Sequence, residues 1–224
     1  MIPRERIAVA RVPGAEGGEL RLYRRGGEHM ILLGGNELMT TRSSGSEEAL
    51  ATMTVARLAA PAPRLLIGGY GMGFTLRAAL AVLPAQAAVT VVELVPEILD
   101  WARGPMAELT GEALDDPRVR LVVGDVGAAI AAARQDFDAI LLDVDNGPDG
   151  LTRAANDGLY SAAGLAAARG ALAPGGVLAV WSAAPDPRFT RRLAQAGFVV
   201  EEAPVRARGG ARGLRHHLWF AQRP

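Results

Sequence analysis

Six consecutive residues, Gly68-Gly69-Tyr70-Gly71-Met72-Gly73, carry the sharpest chemical signal in the chain. Glycines in such a run permit positive backbone dihedrals and let the main chain come close to a ligand. Glu93 follows Gly73 by twenty residues. In nucleotide-binding α/β folds an acid about 20 residues beyond the glycine turn accepts the ribose hydroxyls. Without Glu93 the run would read equally well as a tight strand-to-helix turn. Counted from Gly69, the dinucleotide fingerprint would need its third glycine at Phe74, so a dinucleotide is disfavoured. Two further acids occupy matching positions: Asp125 in Val122-Val123-Gly124-Asp125 and Asp143 in Ile140-Leu141-Leu142-Asp143. Each has a bland reading. Asp125 suits a helix N-cap, Glu93 a solvated strand end, and Asp143-Val144-Asp145-Asn146-Gly147-Pro148 a turn. Their joint placement at successive strand ends is what those readings explain badly.

The elements that must position these groups follow from the hydrophobic pattern. Before residue 60, short strand-like runs at 6–12, 19–25, 28–33 and 37–41 are separated by Gly pairs or Pro-Gly, which predicts a small antiparallel meander. A helix is expected from about Ser46, with Ser44 and Glu47 in capping-box spacing, until Pro61 and Pro63. Strands and helices then alternate. Strands are expected at 65–67, 88–92, 119–123, 139–142 and 177–181. Helices are expected at 74–83, 96–109, after Asp125, at 165–172 and at 188–196. The last two strands, 198–202 and 214–221, have no helix between them and must form an antiparallel hairpin. This predicts an α/β fold with a mostly parallel sheet covered on both faces. The organisation expected is a small β-rich region over 1–60 and a nucleoside-binding domain over 61–224. Ligands of such sheets sit outside the carboxyl ends of the strands, the edge that carries the Gly turn, Glu93, Asp125 and Asp143.

Composition removes several chemistries. The 224 residues contain no cysteine and no lysine, which excludes disulfides, thiolate metal sites, a Cys nucleophile and lysine Schiff bases. Formal net charge is zero, so no global field favours nucleic acid or an anionic membrane. The start of the chain lacks the apolar run of a signal peptide, and a cytoplasmic location is the expectation. His216 and His217 are neighbours on a strand and face opposite sides, so they do not converge on one metal. The arginines at 206, 208, 212 and 215 read as a hairpin loop, and no serine hydrolase elbow is present.

The spacing Gly69-x-Gly71-x-Gly73 is that of adenosylmethionine binders, and residues 65–182 resemble the catalytic core of spermidine synthases within the class I adenosylmethionine-dependent methyltransferase superfamily. The stretches that carry the resemblance are 65–73, Val91-Val92-Glu93, Gly124-Asp125, 137–143, Leu159-Tyr160-Ser161 and Pro174-Gly175-Gly176-Val177-Leu178. Leu33-Gly34-Gly35 and Ser46-Glu47-Glu48 resemble a shortened version of that family's N-terminal part. The resemblance implies a Rossmann-like sheet and an S-adenosylmethionine or decarboxylated S-adenosylmethionine cofactor, with no metal. By the same resemblance Gly68, Gly69, Gly71, Gly73 and Glu93 would hold the nucleoside, Leu94 and Val126 the purine faces, and Asp125 the adenine edge. Asp143 would be the base that orients and deprotonates a small amine, with Asp145, Asn146 and Tyr160 near the acceptor. A homodimer is a further expectation, and the β-rich start would either close the site or mediate dimerisation.

Departures from the family pattern set the finer expectation. The family's loop carries an Asp at the position of Gly71, where it holds the ammonium of the decarboxylated cofactor. The second acid of its active-site loop is here Asn146, and the aromatic ring of its amine-gripping element is absent from Ser46-Glu47-Glu48. Loss of an acid at Gly71 favours full S-adenosylmethionine on charge grounds, and so methyl transfer over aminopropyl transfer. A nucleoside-binding subunit without turnover is the alternative of another class, and the presence of Asp143 counts against it.

Overall fold

The computed structural model describes residues 3–13, 18–144, 158–207 and 215–224. Four strands form the expected meander: β1 (Glu5–Arg11), β2 (Glu19–Arg25), β3 (Glu28–Leu33) and β4 (Asn36–Thr40), in the order β1-β2-β3-β4. Leu20 and Leu22 of β2 are buried while their neighbours are not, the period-two pattern of a sheet with one covered face. That face, with Ala10 and Ile31, joins the main core.

Helix α1 (Gly45–Val55) follows and lies against the larger sheet. Ser44 stands at its N-cap but makes no side-chain cap hydrogen bond, so the expected capping box does not form. Glu47 turns inward instead and is 6% exposed.

The larger sheet contains β5 (Arg64–Gly68), β6 (Ala88–Glu93), β7 (Val119–Val123), β8 (Phe137–Leu142), β9 (Leu172–Ser182), β10 (Val199–Arg206) and β11 (Arg215–Gln222). Its order is β10-β11-β9-β8-β5-β6-β7. Strands β5 to β9 pair in parallel, and β11 is antiparallel to both β9 and β10. Each parallel central strand is a near-continuous apolar run because both faces are covered. Leu65, Ile67, Ala139 and Leu141 face one core, while Leu66, Ile140 and Leu142 face the other. Helices α1, α2 (Phe74–Val82) and α3 (Pro96–Arg103) contribute to the first core. Helices α5 (Val126–Ala132), α6 (Ala162–Ala171) and α7 (Pro187–Gln195) contribute to the second.

The expected elements differ from the observed ones in three places. The helix expected over 96–109 ends at Arg103, and a separate turn α4 (Ala107–Thr110) follows. Gly104-Pro105 breaks it, because proline lacks the N–H needed to continue the ladder. Strand β9 begins at Leu172, ahead of the expected 177, and runs through Pro174-Gly175-Gly176. Gly175 N–H donates to the Arg223 carbonyl and Arg223 N–H to the Gly176 carbonyl, both at 2.8 Å. The chain end thus gives this segment a ladder partner that local sequence does not announce. The closing hairpin is antiparallel as expected; β10 runs on to Arg206, past the expected 202, while β11 keeps its expected length one residue further along.

Strand order reverses between β5 and β8: from β5 the chain steps outward through β6 and β7, then returns to β8 on the other side. Such a switch point opens a crevice at the strands' carboxyl ends. The Gly turn leaves β5 there, and Asp143 leaves β8 beside it.

Candidate active site

Main-chain packing shapes the loop after β5. Gly69 has φ of +83° and lies so close to β8 that a Cβ would stand 2.8 Å from the Asp143 carbonyl oxygen. Gly71 has φ of +55°, and a Cβ there would run into Met39 Sδ from β4. Side chains are excluded at both positions by conformation and by space. The meander therefore closes over the loop, with Met39 in the volume that a side chain at Gly71 would need.

Glu93 ends β6 at 7% exposure. Its Oε2 accepts from the Tyr70 N–H at 2.8 Å and its Oε1 from the Val95 N–H at 2.9 Å. Burial pushes this carboxyl above its ordinary range, and the backbone donors pull it part of the way back. Each oxygen keeps a further lone pair for a ligand hydroxyl. Leu94, Val126, Ile98, Gly69, Gly71, Glu93, Gly124, Asp125 and Asp143 all border a cavity of about 160 Å³ beneath the meander. Asp125 is exposed at its rim and caps α5, accepting from the Ala128 N–H at 3.0 Å. Gly68 lies deeper, where Val126 Cγ2 and Leu142 Cδ2 leave no room for a side chain. Gly73 caps α2 in the left-handed region. Apolar walls, a buried acid and close-approaching glycines suit a nucleoside in donor types and shape.

A second cavity, of about 270 Å³, shares Leu38, Met39 and Asp143 with the first. Glu47, Trp181, His216 and Glu37 also line it. Asp143 is the joint between the two. Its Oδ2 accepts from Thr75 Oγ1 at 2.8 Å, so the first turn of α2 fixes its orientation. Burial pushes its carboxyl up to about 6, with the Thr75 hydrogen bond opposing, although part of the residue remains open to the cavities. Burial pushes Glu47 up to about 7, and the charge of Asp143 adds to the effect. Both carboxyls are thus raised toward neutrality, a direction that suits proton transfer.

Placement of the remaining sequence expectations is uneven. Asp145 and Asn146 lie outside the described residues. Tyr160 does not border either cavity. It is 1% exposed in the second core, edge-on to Phe189 at 5.5 Å, because the helical turn before α6 directs its ring into the layer beneath the sheet. Trp181, by contrast, does reach the second cavity. Glu47 and His216 were not expected there. The only early sign for Glu47 was an acid in a segment resembling an amine-gripping element, and nothing local marked His216. His217 points the other way, to Glu202 at 2.7 Å. Among the described residues no group of three or more His, Cys, Asp or Glu is arranged for a metal ion, and no helix is long and apolar enough to cross a membrane.

Parallel strands with a switch-point crevice, a glycine turn and acids at three strand ends define the class I adenosylmethionine-dependent fold. Solved structures agree. Spermidine synthase from Thermotoga maritima superposes with a TM-score of 0.77 at 17% identity, over 98% of this chain and 73% of that one. Human methyltransferase-like protein 13 in complex with SAH gives 0.62 at 20% identity, over 80% and 82%. The spermine/spermidine synthase domain model matches residues 44–195, and the chain belongs to that family. A polyamine aminopropyltransferase from Mycobacterium tuberculosis is 30% identical over 194 residues, 81% of this chain and 35% of the relative. Polyamine aminopropyltransferase 1 of Streptomyces coelicolor is 36% identical over 130 residues, 57% and 24% respectively. The chain therefore spans about a third or less of the length of these curated relatives.

Proposed function

We propose that the protein transfers an aminopropyl group from decarboxylated S-adenosylmethionine to a small cationic amine. The observation that carries this is the position of Asp143 in the wall common to the two cavities. A nucleoside in the first cavity, between Leu94 and Val126 with its ribose at Glu93, would direct its sulfonium toward the second. The sulfonium supplies an already activated carbon. What the chain must do is bind, align and take a proton. Asp143, held by Thr75, is the group for the last task.

Charge supports aminopropyl over methyl transfer and reverses the expectation drawn from Gly71. Glu93, Asp125 and Asp143 are the charged residues lining the first cavity, and all are acids. Glu37, Glu47 and Asp143 line the second, and no arginine borders either one among the described residues. The carboxylate of full S-adenosylmethionine would find only like charges, whereas the lone ammonium of the decarboxylated form is attracted. Names of the relatives point the same way. Methyl transfer keeps one favourable observation: Met39, an uncharged side chain, fills the space beside Gly71. A soluble enzyme acting in the cytoplasm, and a homodimer formed through the meander, complete the reading.

Calorimetric titration with both nucleosides tests it. The decarboxylated form should bind at least tenfold more tightly, and a clear preference for full S-adenosylmethionine would return the protein to methyl transfer.

A further inference from the structure

Segments from opposite ends of the chain meet over the second cavity. Ser46 of α1 is fully buried. Its hydroxyl donates to Glu47 Oε2 and lies 2.8 Å from His216 Nδ1 on β11. The imidazole is half-buried and stands edge-on to Trp181, with ring centroids 4.6 Å apart. Glu47, Asp143 and His216 border the same space. An acid in a helix's first turn ordinarily faces solvent or closes a capping box. Glu47 does neither, and the charges that act on it, Asp143 and Glu48, are both acidic.

We infer that Glu47 is the second proton-carrying group of the amine-side cavity, and that Ser46 and His216 form its outlet to solvent. This extends the transfer reading above and names how that site would handle its proton. Ser46 and His216 act through Glu47 and are positioning residues.

The charged groups facing Glu47 are few. Asp143 follows β8, Glu37 lies on β4, Glu48 is its neighbour on α1, and Arg206 of β10 passes its backbone against Gly45. Burial lowers the pKa of His216, which favours a neutral ring whose Nδ1 donates to Ser46 Oγ in one tautomer and accepts from it in the other. When Glu47 is ionised, the Ser46 hydroxyl donates to it. When Glu47 is protonated, its O–H donates to Ser46 Oγ and the Ser46 hydroxyl turns to His216 Nδ1. Rotation of one hydroxyl, with a change of ring tautomer, thus connects the cavity to the imidazole. An alkylammonium entering the cavity favours ionised carboxylates and expels the proton of Glu47 along this route. The bound ammonium then gives one proton to the carboxylates. Its freed lone pair forms the nitrogen–carbon bond, and the carbon–sulfur bond breaks with its electrons on sulfur.

Burial pushes Asp143 up to about 6 and Glu47 up to about 7, with the charge of Asp143 adding to the rise at Glu47, which places Glu47 as the weaker acid of the pair. Such a pair loses its protons in two coupled steps. Carbon-13 NMR of the side-chain carboxyls in the ligand-free chain should show both steps. Glu47→Gln should remove the upper step and leave the lower one near its place. Asp143→Asn should shift the Glu47 step downward, because the negative neighbour is gone. Titration with 1,4-diaminobutane at pH 7, with methylthioadenosine bound and in buffers of different ionisation heat, counts the protons released. Release should fall several-fold in Glu47→Gln. Ser46→Ala should leave both steps present and slow turnover about tenfold, with Ser46→Thr restoring it.

A Glu47 carboxyl titrating near the ordinary value of about 4.3, or undiminished proton release in Glu47→Gln, overturns the inference. If the two steps are present but the unsubstituted chain binds no diamine at any pH, the transfer reading fails while the proton pair stands.

Discussion

Glu93 and Asp143 end neighbouring parts of one sheet, yet their surroundings are opposite in kind. Glu93 accepts from two main-chain N–H groups at 2.8 and 2.9 Å. Its carboxylate is held by the loop it organises. Asp143 has one hydroxyl donor, Thr75, and faces another acid, Glu47, across a cavity. Backbone donors favour the ionised form and hold it still. A buried acid pair favours sharing a proton. On the proposed function, the strand-end acids of one sheet divide into a binding half, built from main chain, and a proton-handling half, built from side chains.

The largest expected effect lies on the proton-handling side. Asp143→Asn keeps the size of the side chain and its acceptor toward Thr75 but removes the base. Turnover with an amine acceptor should fall by about 10²–10⁴-fold, the range for general acid–base catalysis, while nucleoside affinity changes far less. In the unsubstituted protein the acid limb of the rate profile should fall off as pH drops through about 6, since protonating Asp143 removes the acceptor for the amine's proton. Turnover that survives Asp143→Asn would erase the division drawn here.

A smaller effect belongs to the binding side. Glu93→Ala should cost tenfold or more in nucleoside affinity, since each strong hydrogen bond to a charged acceptor is worth about 1.5–3 kcal/mol. The structure adds a complication, because Tyr70 and Val95 would lose their buried acceptors. Glu93→Gln separates the two roles. It keeps an acceptor for one N–H, so folding should survive while affinity still drops. If melting temperature falls sharply in Glu93→Gln and affinity holds, Glu93 serves the loop alone.

The binding half was legible in the sequence for a physical reason. Its parts lie within one βαβ unit, and a glycine turn, a strand and an acid about 20 residues on are tied by local geometry. Gly69 and Glu93 could therefore be placed from spacing, Asp125 from its place after the next strand, and Leu94 and Val126 from the family resemblance; the fold brings all five to one cavity. The other half depends on tertiary contacts. Ser46 and His216 are 170 residues apart and touch only because α1 lies across β11. Glu47 was legible only as a helix-start acid, since capping-box spacing is the same whether the carboxylate turns back or inward. The Gly71 charge argument has a related limit: local sequence shows a missing acid, but only packing shows Met39 Sδ beside Gly71 and, among the described residues, no arginine lining the cavity.

Asp125 is the residue on which the two halves are hardest to tell apart, and its expected effect is the smallest. It borders the first cavity, yet its carboxylate already accepts from the Ala128 N–H at 3.0 Å as the cap of α5. Losing a cap costs about 0.5–2 kcal/mol of stability. Asp125→Ala should therefore lower the melting temperature by a few degrees whatever the ligand does. Asp125→Ser keeps a capping oxygen but shortens the reach to an adenine edge and removes the charge. If Asp125 contacts the nucleoside, Asp125→Ser should keep the melting temperature of the ligand-free chain and weaken nucleoside affinity about two- to tenfold, the size of one modest hydrogen bond. Equal affinities in the serine variant and the unsubstituted chain would make Asp125 a helix cap alone, and the binding half would then rest on Glu93 and the glycine loop.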